Sequence, residues 1–283
     1  MRLLQFCKME VVMEVNRDRY LKQLTDRMQN GMIKVITGLR RSGKSYLLNR
    51  IFYRHLKSIG VDDRNIIMLS FDVEENEQLL DRHVLAEHIR NRLTDDGWYY
   101  LLLDEIQNVD GFEKVLNSFL RRENVDIYVT GSNSRFLSSD IATEFKGRGS
   151  VIHVRPLSFS EYCGGLQLGA DQAWKSYIRT GGIPLVALMR TEEERVSYLK
   201  SLCEETYLKD IIQHNGIRKR TELSETFDML ASMIGSPVNA LKLANTFRTV
   251  TKKELTDDTI SNFIGYFTDA FLVSKVEKYN IKG

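Results

Sequence analysis

Five short apolar segments alternate with stretches of helical periodicity between residues 31 and 156. The segments are Met32–Thr37, Asn65–Phe71, Trp98–Leu103, Asp126–Thr130 and Val151–Val154. Several are apolar at successive positions, which is typical of strands that are buried on both faces. Strands that alternate with helices form a mainly parallel sheet with helices on both sides. The pattern therefore predicts an α/β core over residues 31–156.

Helical periodicity without strands continues on either side of this core. Residues 1–30 are predicted to form an N-terminal helical segment. Over residues 157–215, aromatic and apolar residues recur at helical spacing, and paired glycines interrupt them. This pattern predicts a small helical subdomain that would form a lid over the core.

The last part of the chain, residues 216–283, shows a third pattern. Three stretches have helical spacing, and they are Glu222–Ile234, Val238–Phe247 and Asp257–Ala270. The apolar run Phe271–Val276 that follows is predicted as a strand. Three helices and a strand predict a winged helix-turn-helix that lacks its second wing strand. We therefore expect the sequence to be a fragment of a longer protein.

The composition excludes several classes of protein. With 42% hydrophobic and 28% charged residues, the chain resembles soluble globular proteins and not disordered or fibrous ones. The longest apolar run, Trp98–Leu103, is far shorter than the roughly 20 residues that span a bilayer. Lys8 and Glu10 interrupt the apolar N-terminus before a signal peptide can form, so a cytoplasmic protein without membrane contact is expected. The three cysteines lie far apart without a CxxC pair, which predicts reduced thiols and no cysteine metal site.

The residues with the clearest chemical meaning follow the first predicted strand. Gly38–Ser45 fits the pattern GxxxxGK[ST] between a strand and a helical pattern, which is the context of a phosphate-binding loop. The glycines allow backbone N–H groups to turn toward a phosphate, and the start of the helix adds its positive dipole end. Lys44 is expected to reach the β- and γ-phosphate oxygens, and Ser45 to coordinate Mg²⁺.

Nucleotide contacts are expected from the loop as a whole. The predicted contact residues are Gly38, Arg41, Ser42, Gly43, Lys44, Ser45 and Tyr46. The variable positions of such loops tolerate most side chains, so the side chains of Arg40 and Arg41 carry no individual role. No Asn/Thr-Lys-x-Asp element of the guanine-binding type follows the loop. ATP or ADP is therefore the favoured nucleotide.

A second acidic motif ends the third predicted strand. Asp104 and Glu105 follow an apolar run, which places them at the carboxyl edge of the sheet, where open α/β sheets bind ligands. Asp104 is expected to hold Mg²⁺ through water, and Glu105 to orient or deprotonate the attacking water. The intervening strand and helix are predicted to bring the strands of the two motifs side by side. The alternative is a strand that happens to end in acidic residues at the solvent.

Two further candidate residues lie next to the fourth and fifth predicted strands. Asn133 follows the fourth predicted strand and is predicted to sense the γ-phosphate, although Asn and Ser are also common as helix N-caps. Arg148 precedes the fifth predicted strand and is a candidate arginine finger, acting in its own or in a neighbouring subunit. A solvent-exposed arginine is the alternative interpretation.

Together these motifs resemble those of prokaryotic AAA-type ATPases related to the STAND class. Leu101–Gln107 is similar to the Walker B segment of that family, and Val129–Ser134 to its sensor strand. Gly181–Leu185 resembles the Gly-Leu-Pro-Leu element of the family, which implies that Pro184 contacts the nucleotide. A proline in the first turn of a helix is the alternative.

The resemblance implies a P-loop NTPase sheet of the ASCE/AAA-like type, a helical lid and a winged helix-turn-helix. It also implies assembly into a homo-oligomer, and a C-terminal domain of unknown function with a nuclease-like core that would lie beyond Gly283. STAND relatives place a winged-helix histidine against ADP, but the sequence has no histidine after His214. That contact is therefore not expected here.

The charge of the predicted winged helix bears on DNA binding. Residues 216–283 contain ten Lys or Arg and eight Asp or Glu, a smaller surplus than groove-reading domains usually have. The predicted recognition helix carries Asp257, Asp258 and Asp269 and neither Lys nor Arg, so its charge would repel phosphates. Packing, or docking of an unknown protein client, is therefore favoured over DNA binding.

We predict from these observations an ATPase that hydrolyses ATP to ADP and phosphate with Mg²⁺ and thereby drives a conformational switch. Lys44, Ser45, Asp104 and Glu105 would carry the reaction by positioning and charge neutralisation. The alternatives are a nucleotide-gated switch with negligible turnover and a DNA-associated ATPase that acts through the winged helix. A phosphotransferase is disfavoured because adjacent carboxylates suit the activation of water.

Overall fold

A five-stranded parallel sheet forms the centre of the chain. The computed structural model describes residues 15–131, 145 and 147–276. The strands are β1 (Ile33–Thr37), β2 (Ile66–Ser70), β3 (Tyr99–Asp104), β4 (Val125–Thr130) and β5 (Gly149–His153). They lie in the order β2-β3-β4-β1-β5, and each pairing is parallel. Every strand lies where the hydrophobic pattern predicts one, so the predicted parallel α/β fold is confirmed.

Helices cover both faces of this sheet. They are α1 (Asp18–Thr25), α2 (Lys44–Tyr46), α3 (Tyr53–Ser58), α4 (Arg82–Arg92) and α5 (Phe112–Phe119), with the π-helical Leu47–Phe52 between α2 and α3. Successive residues of a strand point to opposite faces. Leu101 and Leu103 therefore pack with α4 and α5, whereas Tyr100 and Leu102 pack with α1, the π-helical segment and α3. Because both faces are covered, every residue of β1, β3 and β4 is buried, which accounts for the apolar runs.

The strands that carry the two predicted motifs are not neighbours. β4 lies between β1 and β3 and pairs with both. The prediction that these two strands lie side by side is therefore wrong. The physical reason is that order along the chain does not determine order in a parallel sheet, in which a helical crossover can return to any position. As a result, the end of β4 at Thr130 lies between the ends of β1 and β3 at the carboxyl edge.

The described residues after β5 form helices. They are α6 (Phe159–Leu166), α7 (Ala170–Thr180), α8 (Pro184–Leu188), α9 (Glu192–Ser201), π-helical Leu202–Leu208, α10 (Lys209–Asn215), α11 (Arg220–Ser232), α12 (Ala240–Thr251) and α13 (Asp257–Asp269). The last three pack around Leu223, Phe247 and Phe267. Leu208 and Ile211 join this cluster from the end of the π-helical segment and from α10, so the two helical regions share one core. None of the described helices combines the length and the apolar character needed to cross a membrane.

The predicted strand Phe271–Val276 does not form. Phe271 has a φ of 61°, its N–H bonds to the Thr268 carbonyl, and the Leu272 N–H bonds to the Phe267 carbonyl. These are the two bonds of a Schellman motif, which ends α13 and reverses the chain. The apolar side chains of Leu272 and Val273 then pack into the cluster of the last three helices, which explains why an apolar run is found here without a strand.

Candidate functional site

The loop after β1 depends on glycine at two positions. Gly38 has a φ of 138°, and a Cβ atom there would lie 2.0 Å from the carbonyl oxygen of Val154, which follows the neighbouring strand β5. Gly43 has a φ of 96° and directly precedes α2. A residue with a Cβ atom is strained at such φ angles. At Gly38 the Cβ atom would also collide with the backbone of Val154. These glycines let the loop turn closely over the sheet and begin the helix at Lys44.

Lys44 lies in this loop with only 4% of its surface exposed. Its Nζ donates hydrogen bonds to the carbonyl oxygens of Gly38 at 3.0 Å and Leu39 at 3.2 Å. Burial lowers the pKa of Lys44 to about 8, although the carboxylates of Glu105 and Asp104 act in the opposite direction. An anionic ligand beside this ammonium group would favour its charged form. The loop therefore offers a buried cation to phosphate.

Asp104, the last residue of β3, lies beside the loop with 3% of its surface exposed. Thr130 Oγ1 donates a hydrogen bond to its Oδ1, and Asn49 Nδ2 donates one to its Oδ2 at 3.3 Å. Burial raises the pKa of Asp104, and hydrogen bonds from Thr130 and Ser45 partly offset that rise. The carboxylate of Asp104 and the hydroxyl of Ser45 are both oxygen ligands of the kind that Mg²⁺ prefers.

Glu105 turns the chain out of β3. It has a left-handed backbone with a φ of 52°, and its N–H donates a hydrogen bond to Thr130 Oγ1 at 2.9 Å. Gln107 Nε2 donates a hydrogen bond to Glu105 Oε2. The Thr130 hydroxyl thus contacts both acidic residues. Thr130 is not among the predicted site residues, because its only sequence signal is its place at the end of a strand.

Lys44 and Glu105 border the same cavity, which has a volume of about 770 Å³. Its walls are the loop after β1, the segments after β2 and β3, and parts of α8 and α10. The predicted residues that line it are Arg41, Gly43, Lys44, Ser45, Glu105 and Pro184. Gly38, Ser42, Tyr46 and Asp104 do not line it, although Asp104 directly precedes Glu105 and lies beside Ser45. The two predicted motifs therefore converge on a single site.

Pro184 begins α8 at the edge of this cavity. Its ring faces the loop, since a Cβ atom on Gly43 would lie 3.7 Å from Pro184 Cγ. The residue is thus a proline in the first turn of a helix and also a wall of the site. The two interpretations of Pro184 are compatible.

Arg17 supports the site from behind, although the sequence does not single it out. It is 3% exposed. Its Nη1 donates to the Ser42 carbonyl at 3.3 Å, its Nη2 donates to the Arg155 carbonyl at 2.6 Å, and its Nε lies 3.0 Å from Glu161 Oε1. The loop after β1, the segment after β5 and helix α6 therefore meet at one guanidinium group.

Arg40 joins the loop to the helices that follow the core. Its Nη1 lies 2.6 Å from Asp210 Oδ2 on α10, and both residues are 49% exposed. The Tyr207 hydroxyl donates a hydrogen bond to the Arg40 carbonyl at 3.0 Å. The side chain of Arg40, which carries no role in the sequence prediction, thus contacts the helix that also packs into the last helical cluster.

Arg148 lies away from this cavity. Its carbonyl oxygen accepts a hydrogen bond from the Ile33 N–H at 2.8 Å, at the start of β1, whereas Lys44 follows the end of that strand. The two residues therefore lie at opposite edges of the sheet, which excludes Arg148 from the site of its own chain. A role in a neighbouring subunit stays a prediction. Asn133 lies outside the described residues.

Two family models match the chain. Residues 30–163 match the AAA domain, and residues 171–282 match a domain of unknown function, DUF8612. The AAA match includes the whole sheet, the loop and both acidic residues. Together with the strand order, this match gives residues 30–163 an AAA domain with the fold of P-loop NTPases.

Two curated relatives align with nearly the whole chain. An uncharacterized protein of Haemophilus influenzae is 33% identical over 276 residues, which cover 95% of this chain and 68% of that protein. An uncharacterized protein of Methanocaldococcus jannaschii is 29% identical over 287 residues, which cover 95% of this chain and 60% of that protein. The chain belongs to the same family as the Haemophilus protein.

Among solved structures, the Walker-type ATPase PABY2304 of Pyrococcus abyssi has a similar fold. The match has a TM-score of 0.57 and 16% sequence identity, and it covers 91% of this chain and 90% of that chain. At this level of identity the similarity shows the fold alone. The shared fold extends beyond the sheet into the helices that follow it.

Proposed function

We propose that the protein binds ATP with Mg²⁺ and hydrolyses it to ADP and phosphate, and that this reaction drives a conformational switch. The observation that carries the proposal is the convergence of Lys44, Ser45 and Glu105 on one cavity, with Asp104 in contact with Ser45. Phosphate-loop ATPases need a cation that binds the phosphates, oxygen ligands that bind the metal ion and a carboxylate that activates the water. Lys44 would supply the cation, Ser45 and Asp104 the oxygen ligands, and Glu105 the carboxylate.

Phosphate binding rests on Lys44. Its ammonium group is held in place by two loop carbonyls and is largely removed from water. Phosphate oxygens that approach it bring negative charge into a site of low dielectric constant, where the attraction is much stronger than in water. Lys44 therefore gives the loop its affinity for the β- and γ-phosphates.

Ser45 and Asp104 fit a magnesium ion. The pair presents one hydroxyl and one carboxylate, and the hydrogen bonds from Thr130 and Asn49 hold that carboxylate in place. Mg²⁺ commonly takes one or two protein ligands and completes its shell with water and substrate phosphates. Bound there, the ion would neutralise charge on the phosphates as the γ-phosphate leaves.

Glu105 is the residue that would activate water. It lines the cavity directly after Asp104, and the bond from its N–H to Thr130 fixes the backbone that carries it. A carboxylate in this place orients a water molecule for in-line attack on the γ-phosphate and accepts its proton. Hydrolysis, rather than transfer to a second substrate, is therefore the favoured reaction.

The switch rests on the link from the loop to α10. Arg40 contacts Asp210 and Tyr207, and Ile211, the next residue after Asp210, packs into the cluster of α11, α12 and α13. A shift of the loop between its ATP and ADP states would therefore move α10 against that cluster. In this scheme α6 to α10 act as a lid, and the last three helices form a helix-turn-helix that docks an unidentified protein client.

Hydrolysis and nucleotide affinity of the full chain test this proposal. We expect Lys44→Ala to lose ATP binding, and Glu105→Gln to keep binding while turnover falls by about 10²-fold or more. Lys175→Ala, an exposed lysine on α7, is the matched control and should behave like the wild type. Turnover by the wild type that is no faster than that of Glu105→Gln would contradict hydrolysis and favour a nucleotide-gated switch.

A further inference from the structure

Arg40 is the third residue of the loop after β1 and lines the same cavity as Lys44 and Glu105. The Tyr207 hydroxyl donates a hydrogen bond to its carbonyl oxygen at 3.0 Å, which anchors the backbone of the residue. The side chain is 49% exposed and extends from this anchored point on several rotatable bonds. Arg40 can therefore change the partner of its guanidinium group while its backbone stays in place.

Asp210 is the partner of this guanidinium group in the structure. It lies on α10 and lines the same cavity, and its Oδ2 atom is 2.6 Å from Arg40 Nη1. A half-exposed ion pair contributes little to stability, because water solvates both charges when they separate. An anion with more charge than a carboxylate can therefore compete with Asp210 for Arg40.

The positive charge of Arg40 also reaches the place where phosphates are expected. Burial, and to a smaller extent the charge of Arg40, lower the pKa of Lys44 to about 8 against the carboxylates of Glu105 and Asp104. Two cations that interact in this way both attract an anion that binds beside them. A nucleotide held by Lys44 would thus bring its terminal phosphate close to a second cation.

ATP and ADP differ in the anion that they bring to this place. ATP carries a γ-phosphate, whereas ADP ends at the β-phosphate. The planar guanidinium group of arginine can bind a phosphate through two parallel hydrogen bonds, and such charge-assisted bonds are stronger than those between neutral groups. Arg40 is therefore suited to respond to the presence of the γ-phosphate.

We propose that Arg40 distinguishes ATP from ADP by exchanging Asp210 for the γ-phosphate, an inference that rests on the proposed binding of ATP. In the nucleotide-free and ADP states, the guanidinium group pairs with Asp210. In the ATP state, it turns to the γ-phosphate, and Asp210 loses its partner. Hydrolysis and release of phosphate restore the pair.

The exchange couples the nucleotide to α10. Asp210 contacts the loop, whereas Ile211, the next residue, packs into the cluster of the last three helices. The ion pair therefore ties this cluster to the loop only while the γ-phosphate is absent. A ligand shifts an equilibrium between two states by the difference in its affinity for them, and here the contact of the γ-phosphate with Arg40 supplies that difference.

The test compares the affinities of the full chain for ATPγS and for ADP, both with Mg²⁺. We expect Arg40→Ala to lose about 10- to 100-fold in affinity for ATPγS, the usual cost of removing a hydrogen bond to a charged group, but only several-fold for ADP. Asp210→Asn should instead raise the affinity for ATPγS, because it removes the competing carboxylate. Arg40→Lys keeps the charge without the planar fork and should lose less than Arg40→Ala.

The matched controls are Arg121→Ala, at an exposed position before β4, and Asp171→Asn, at an exposed position on α7. An equal loss of affinity for both nucleotides in Arg40→Ala would overturn the proposal, as would a loss of ATPγS affinity in Asp210→Asn. If thermal melting shows that Arg40→Ala does not fold, Arg40→Lys decides by the same comparison of the two nucleotides. Failure of the proposed hydrolysis looks different, since the wild type would then turn over no faster than Glu105→Gln while the affinities still respond as described.

Discussion

The hydroxyl of Thr130 donates a hydrogen bond to Asp104 Oδ1 and accepts one from the Glu105 N–H at 2.9 Å. One small side chain at the end of β4 therefore positions both the proposed metal ligand and the proposed base. This arrangement is available because β4 lies directly beside β3, with Val129 opposite Leu103.

Substitution of this hydroxyl should separate catalysis from binding. Thr130→Val keeps the shape of the side chain but removes the acceptor of the Glu105 N–H. Leaving a buried donor unsatisfied lowers the free energy of unfolding by about 1–3 kcal/mol. We expect turnover to fall about 10- to 100-fold and the Mg²⁺ concentration for half-maximal activity to rise, while Thr130→Ser stays near the wild type. Equal turnover of the Val and Ser variants would show that the hydroxyl does not position the acidic residues.

Removal of Arg17 should destabilise the protein and weaken nucleotide binding together. Arg17→Ala removes the cation beside Glu161, whose carboxylate keeps its hydrogen bonds from Ser158, and it removes two hydrogen bonds to backbone carbonyls. Because Glu161 is only partly buried and stays hydrogen-bonded, we expect the free energy of unfolding to fall by less than the roughly 3–5 kcal/mol that is typical of a fully buried ion pair. Urea denaturation and ATP affinity are the measurements, with the exposed Arg19→Ala as control. A variant with wild-type stability would rule out this supporting role.

The contact between Arg40 and Asp210 should affect nucleotide release more than stability. Both side chains are half exposed, and such pairs contribute only about 0–1 kcal/mol. We expect Asp210→Ala and Arg40→Ala each to speed the release of fluorescent ADP several-fold, and the double variant to match the single ones. The effect should shrink at high salt because screening weakens the pair. Additive effects in the double variant would mean that the residues act independently.

Nucleotide binding should take up protons above pH 7. The pKa of Lys44 is lowered to about 8, so in the nucleotide-free protein its neutral form grows as the pH rises through 8. Phosphates favour the ammonium form and raise this pKa, and binding at pH 8 should therefore take up roughly half a proton. Calorimetry in buffers with different ionisation enthalpies measures the uptake, which should approach one proton near pH 9.5 and vanish below pH 7. Binding without uptake over this range would contradict the buried position of Lys44.

Duplex DNA should not stimulate hydrolysis. The exposed residues on the first two turns of α13 are Asp257, Asp258, Ser261 and Asn262, which include two carboxylates and no cation. Their charge repels the phosphate backbone, which provides most of the affinity in non-specific binding. The measurement is turnover with and without duplex DNA at low salt. Stimulation that disappears as salt rises would instead support a DNA-associated ATPase.

Local patterns in the sequence predict much of the fold and the chemistry of the site. The five strands follow from apolar runs, because burial on both faces selects apolar residues at successive positions. Lys44, Ser45, Asp104 and Glu105 follow from motifs in which glycine, lysine, hydroxyl and carboxylate each have a chemical reason. The apolar run Phe271–Val276 is not buried between two layers of helices, and the prediction of a strand there is wrong. Its apolar residues Leu272 and Val273 pack into a helical core instead.

Only the tertiary structure decides which distant residues meet. The sequence by itself determines the strands, the loop and the acidic pair, because these depend on neighbours within a few positions. The places of Thr130 between the motifs and of Arg17 behind the loop depend on strand order and on the packing of side chains. Arg148 shows the same limit, since its place at the far edge of the sheet follows from the direction of β5. These contacts join residues far apart in the chain. They form because the strands and helices pack together, and the sequence around each residue does not predict that packing.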